Sequence, residues 1–193
     1  MRPEAPWSRG VRLLIVTGLP GTGKTTLARL LAARCRLPLL TKDAIKEQLL
    51  DEAGMVDAAR SRALSDLAFR LLFTQLRQLA DAGIDALAEG NFRAGEHEPP
   101  LRALPVARIA QILCRVGEEE RLRRIAARAV DPMRHPGHGD ARATRAADTD
   151  SFLDLPGERL LVDTGGAAAE QPGLLRQVDQ WMAATRRPPA GSP

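Results

Sequence analysis

Residues 11–25 read Val11-Arg12-Leu13-Leu14-Ile15-Val16-Thr17-Gly18-Leu19-Pro20-Gly21-Thr22-Gly23-Lys24-Thr25, and their reading decides the fold. The first seven are mostly apolar and β-branched, as suits a strand buried on both faces of a parallel sheet. The next eight complete G-x-x-x-x-G-K-[ST], a phosphate-binding loop. Beyond it, Thr25-Thr26-Leu27-Ala28-Arg29-Leu30-Leu31-Ala32-Ala33 places Leu27, Leu30 and Leu31 at helical spacing. Strand, glycine turn and helix are the context this motif needs, because the helix N-terminus then offers open N–H groups and a positive dipole end to a phosphate. Gly18, Leu19, Pro20, Gly21, Thr22, Gly23, Lys24, Thr25 and Thr26 form the expected nucleotide cradle. Gly18 and Gly23 allow the tight turn and close backbone approach, and Lys24 reaches the β- and γ-phosphates. The Thr25 hydroxyl is placed to ligate Mg²⁺.

Outward from this loop, strands and helices alternate. Leu37–Thr41 reads as a second strand, and a helix from about Asp43 carries Ile45, Leu49 and Leu50. Leu64, Leu67, Ala68, Leu71, Leu72, Leu76 and Leu79 mark a long helix that stops near Gly83. Ile84–Ala88 reads as strand three, delivering Glu89-Gly90-Asn91-Phe92 at its end. Val106–Val116 reads as strand four, 117–130 as a charged helix, Leu160–Thr164 as strand five and 173–184 as a closing helix. The Pro/Gly-rich stretch 131–140 suits no regular structure. The expected fold is α/β: a P-loop NTPase three-layer sandwich with a five-stranded parallel sheet and a helical lid. Residues 1–10 are expected to be a flexible lead-in, 11–185 the domain with its lid at about 117–150, and 186–193 a disordered tail. Ligands of such sheets bind beyond the carboxyl ends of the strands, where the segments at Gly18, Asp43, Glu89 and Asp163 would converge.

Composition narrows the function classes. The chain has 193 residues, 44% hydrophobic and 27% charged, with a net charge of +4 that suits anionic substrates. Only 3% are aromatic and none is tyrosine, so no base-stacking surface is expected and the core should rest on Leu, Ala, Val and Ile. Cys35 and Cys114 make neither a disulfide framework nor a zinc site and are expected as core thiols. With no apolar leader and no stretch of eighteen apolar residues, a cytoplasmic protein without a membrane partner is expected.

Of 28 basic residues only Lys24, Lys42 and Lys46 are lysine. Lysine is a compact point charge that arginine does not reproduce in a tight site, so Lys42-Asp43-Ala44-Ile45-Lys46 shares the loop's chemical constraint. A GTPase would need N/T-K-x-D after a strand, which Thr41-Lys42-Asp43 does not supply. A large remodelling ATPase would need an apolar run ending in Asp-Glu and a helical domain, for which the chain is too short. Phosphoryl transfer to a hydroxyl needs a carboxylate to take its proton, and Asp43 just after the second strand is a candidate. Asp43 equally suits a helix N-cap, and the two roles are compatible. Lys42 and Lys46 read as anion-attracting groups or as surface charges, and Glu89 as a residue on a magnesium-bound water, an acceptor contact or a solvated strand end. Phe92 reads as packing or as an acceptor wall. In the charged helix, Glu119/Arg123 and Glu120/Arg124 are spaced as ion pairs, and Arg121, Arg124 and Arg128 share a face.

The segments Gly18–Thr26, Thr41–Glu47, Glu89–Phe92 and Arg134-His135-Pro136-Gly137-His138 resemble the kinase-like AAA-domain P-loop proteins. That family groups loosely with polynucleotide 5′-hydroxyl kinases, chloramphenicol phosphotransferases, zeta toxins and gluconate kinases, and the resemblance spans about residues 11–184. It implies Asp43 as general base and a lid helix whose Arg124 and Arg128 neutralise transition-state charge, with Arg134 joining on closure. It also implies Asn91 and Arg93 as acceptor-binding positions. His135 and His138 read as ligands or as structural residues. The expected protein is a kinase moving the γ-phosphate of ATP, with Mg²⁺, to a small-molecule hydroxyl. A nucleic-acid 5′-hydroxyl kinase and a non-catalytic ATP-sensing module are the alternatives.

Overall fold

In a computed structural model that describes residues 10–54, 57–130, 150–166 and 171–184, five strands form one parallel sheet. The elements run β1 (Arg12–Thr17), α1 (Lys24–Cys35), β2 (Leu39–Thr41), α2 (Lys42–Ala53), α3 (Ala58–Asp81) and β3 (Ala86–Glu89). They continue as α4 (Glu98–Arg102), β4 (Arg108–Arg115), α5 (Glu118–Ala129), β5 (Glu158–Asp163) and α6 (Pro172–Ala183). Spatial order is β2-β3-β1-β4-β5, which puts β1 at the centre. Side-chain alternation along β1 sends Leu14 and Val16 to one face and Leu13 and Ile15 to the other. The first pair packs with Leu27 and Leu31 of α1 and Val178 and Trp181 of α6; the second packs with Phe69, Leu72 and Leu76 of α3. Two apolar layers around one sheet make the three-layer sandwich.

Element ends differ from the expected ones for identifiable reasons. β2 starts at Leu39, because the Leu37 N–H caps α1 by donating to the Ala32 carbonyl and Pro38 has no N–H to pair. The long helix ends at Asp81, near Gly83 as expected, with Gly83 donating to the Ala80 carbonyl and Ile84 to that of Leu79. Ile84 is thereby spent on the cap, and β3 shifts to Ala86–Glu89, so Glu89 is the last residue of the strand. α2 begins one residue early, at Lys42, which makes Thr41 the N-cap and corrects the N-cap reading of Asp43. α4 was not expected, since Pro99 and Pro100 hide it; both sit in its first turn, where a missing N–H costs nothing.

The core rests mainly on Leu, Ala, Val and Ile, as the composition leads one to expect. Three of the four phenylalanines, Phe69, Phe73 and Phe92, cluster in the core around His97. Among the described residues, no helix is long and apolar enough to cross a membrane. Arg134, His135 and His138 lie outside the described residues, as do most of the expected lid and both termini.

Candidate active site

The phosphate loop turns directly off β1. At Gly18, φ is 143° and a Cβ would stand 2.4 Å from the Cys114 carbonyl oxygen of β4, so only glycine lets the loop lie this close to the sheet. Gly23 caps α1 with no side-chain hydrogen bond, which leaves the first-turn N–H groups of Lys24, Thr25 and Thr26 without helical partners. Donors hold the loop's carbonyls. The Thr22 hydroxyl donates to Leu19 O at 2.8 Å, Arg121 Nη1 to Pro20 O at 3.2 Å and the Thr164 hydroxyl to Thr22 O at 2.5 Å. A planar trans peptide points its N–H opposite its C=O, so these tethers turn the N–H groups of Gly21 and Gly23 the other way. The result is a preformed anion cradle.

Lys24 is 6% exposed, and its Nζ lies 3.9 Å from Glu89 Oε1. Glu89 stands beside the loop because β3 pairs with β1 in a register that aligns it with Val16. It is 1% exposed, which corrects the solvated-strand-end reading, and neither carboxylate oxygen has a hydrogen-bond partner. Burial pushes its pKa up; Lys24 pulls it down, Asp43 pushes it further up, and Thr25 and Lys42 pull down. A buried carboxyl that Lys24 approaches only at 3.9 Å, next to the Thr25 hydroxyl, is a donor set that fits Mg²⁺, which takes one or two protein oxygens and completes its shell with phosphate and water. No cluster of three or more His, Cys, Asp or Glu suited to a metal occurs among the described residues.

The upward shift has a stability consequence. Native Glu89 holds its proton more tightly than the unfolded chain does, so ionising it costs stability as pH rises from the unfolded-state range near 4.3 through the native value. Glu89→Gln mimics the neutral acid without that cost. Thermal melts of the nucleotide-free protein should place the variant at or above the wild type at pH 8, with the gap closing toward pH 4.5. A variant that melts lower at every pH would contradict this account.

On the opposite side of the loop, α2 presents Asp43, whose side chain is 44% exposed. Lys42 is buried, correcting the surface-charge reading, and its Nζ sits 3.1 Å from Asp43 Oδ1. Lys46 donates to the Ser61 hydroxyl of α3 at 3.0 Å. Beyond β3, Asn91 is half-buried. Phe92 is wholly buried, its ring 5.4 Å from that of Phe69, so it packs the core and is no acceptor wall. Arg93 is ion-paired to Asp66 at 3.0 Å and Glu96 at 2.6 Å. Its backbone N–H donates to His97 Nδ1 at 2.9 Å, which fixes the segment after β3. Burial lowers the His97 pKa to about 4, aided by Arg93, so the ring is neutral and accepts at Nδ1. His97 belongs to no motif; only its contacts disclose it.

The third wall is α5. Arg124 and Arg128 line a cleft of about 440 Å³ with Gly21, Gly23, Thr26 and Thr164, as do Arg123, Ala127 and Gly166. Arg124 is held by Glu120 Oε1 at 2.7 Å and by the Thr164 carbonyl at 2.8 Å. Arg128 is exposed as a residue and donates to the Arg124 carbonyl at 3.4 Å. Loss of water from its head group lowers its pKa, with Asp43 acting upward and Arg124 downward. Arg123 pairs with Glu120 at 2.6 Å, three residues back, rather than with Glu119.

Arg121 departs from the face it was expected to share. It is 3% exposed, forks Glu118 at 2.7 and 2.8 Å, and reaches Pro20 of the loop. It therefore fastens the start of α5 to the cradle instead of entering the cleft. Sequence spacing alone does not separate Arg121 from Arg124, because the difference is which neighbour each touches. Arg121→Ala should lower stability by about 2 kcal/mol and weaken ATP binding several-fold. Calorimetry that finds unchanged ATP affinity would show that the tether does not organise the loop.

Comparison with known proteins follows the same lines. A family model described as AAA domain matches residues 13–148. A protein of Chloroflexus aurantiacus that carries a provisional kinase name is 31% identical, with a TM-score of 0.81 over 91% of this chain and 98% of its own. A sugar kinase from Janibacter is 18% identical, with a TM-score of 0.60 over 89% and 94% of the two chains. The APS kinase of Mycobacterium tuberculosis, in complex with AMPPNP and APS, is 21% identical, with a TM-score of 0.55 over 89% and 98%. These last two likenesses show the fold alone. No curated protein matches the chain.

Proposed function

The chain belongs to the AAA domain family, and from that premise we propose that it is a Mg-ATP-dependent phosphotransferase acting on a hydroxyl of a small molecule. The observation that carries the reading is the cleft itself. An uncapped helix N-terminus and its glycine loop form one wall, and Arg124 and Arg128 form the other.

In this scheme the loop N–H groups and Lys24 bind the phosphates, and Arg124 and Arg128 meet the charge of the migrating phosphoryl group. Asp43 accepts the acceptor's proton as attack develops. Thr25 and Glu89 are the residues that would hold Mg²⁺, which supplies charge neutralisation on the phosphates. Lys42, Lys46, Asn91 and Arg93 border the acceptor side. A small acceptor is favoured over nucleic acid by the pairing of Arg93, whose charge two carboxylates already engage. Pools of metabolites, antibiotics and a 5′-hydroxyl oligonucleotide, each offered with Mg-ATP while ADP is followed, test the reading. Stimulation by a metabolite or antibiotic pool is expected. Stimulation by the oligonucleotide alone, falling steeply with salt, would replace it with the nucleic-acid reading.

A further inference from the structure

Lys42 is the one expected acceptor-side lysine that the fold buries, with its side chain 5% exposed while its chain neighbour Asp43 stays 44% exposed. Consecutive residues on a helix normally diverge by about 100° and do not face each other. Here the Lys42 chain curls back so that its ammonium reaches Asp43 Oδ1 at 3.1 Å. The slot is tight. The Lys42 Nζ lies 5.8 Å from the Phe69 ring centroid, and a Cβ at Gly90 would come to 3.2 Å from Lys42 Cβ. A buried ammonium is costly unless paired, so this one has a strong reason to hold its carboxylate in place.

Resting on the proposed kinase reading, we propose that Lys42 is a positioning residue: its buried ammonium clamps the half-exposed Asp43 carboxylate from the core side and fixes its direction. The charges that act on Asp43 include Lys42 of its own helix, Glu89 of β3 and Arg128 of α5. Glu89 disfavours the ionised form and the two cations favour it. Among them Lys42 is the contact fixed by burial, since Arg128 sits on the exposed side of the cleft.

The test needs no acceptor. In protein labelled with ¹³C-carboxyl aspartate, the Asp43 signal is identified by its loss in Asp43→Asn and then titrated. In Lys42→Met it should titrate about one unit higher, because the favouring cation is gone. In Lys42→Arg part of that shift should be reversed. The reciprocal measurement uses the exposed site: Asp43→Asn should move the Lys42 ¹⁵Nζ ammonium resonance and speed its proton exchange with water, because the contact at 3.1 Å is lost. That second measurement decides the matter should Lys42→Met not fold. An Asp43 titration unmoved in Lys42→Met, or a Lys42 ¹⁵Nζ resonance and exchange rate unmoved in Asp43→Asn, overturns the clamp. A kinase assay in which Asp43→Asn turns over normally would instead overturn the functional reading, and leave the coupling to stand or fall on these two measurements.

Discussion

Lys24→Ala should bind Mg-ATP roughly a hundredfold more weakly, a loss of about 3 kcal/mol. The amine is a buried point charge at the mouth of the cradle, 3.9 Å from Glu89 and at the first turn of α1. Its removal takes away the charge-assisted bonds to the phosphates. It also leaves the Glu89 carboxyl without its nearest cation, which disfavours a second negative charge in the same space. The variant should fold, because Glu89 answers by staying protonated to higher pH rather than by forcing the sheet apart. Titration calorimetry, with a thermal melt as the folding control, reads the effect. Unchanged affinity would mean that the nucleotide does not sit on this loop.

Asp43→Asn carries the second large effect, and of a different kind. The substitution keeps the shape of a half-exposed side chain on the acceptor side, so ATP affinity should stay within about twofold of wild type. Turnover should fall by roughly 10² to 10⁴, the usual contribution of a positioned general base. The contrast between the two variants matters more than either alone. One removes binding of the nucleotide; the other removes the group that meets the acceptor's proton. A common loss in both parameters for Asp43→Asn would point to a structural role for the carboxylate at the start of α2.

Much of the fold was legible because its signals are local. The apolar run 11–17 and the glycine spacing of the loop specify a strand, a turn and a helix with no help from the rest of the chain. The parallel sheet then follows from alternation and crossover geometry. What stayed hidden depends on contacts between distant segments. Arg121, Arg124 and Arg128 are alike in spacing, but only Arg121 meets the Pro20 carbonyl across the interface between α5 and the loop. Thr164 looked like an ordinary strand end, yet its hydroxyl holds the Thr22 carbonyl. Glu89 was recognisable as a polar residue at a strand end; its burial follows from β3 shifting to end one residue later than expected. His97 lies more than twenty residues from Phe69 and Phe73 along the chain, so no periodicity joins them.

The most direct measurement is Mg-dependent ADP release by wild type and Asp43→Asn, with the acceptor pools supplied in turn. The account predicts that one small-molecule pool raises ADP release, and that the rise disappears in the variant while its ATP affinity is retained. Tight ATP binding with slow turnover, indifferent to every pool and to Asp43, would contradict it and leave an ATP-sensing module in its place.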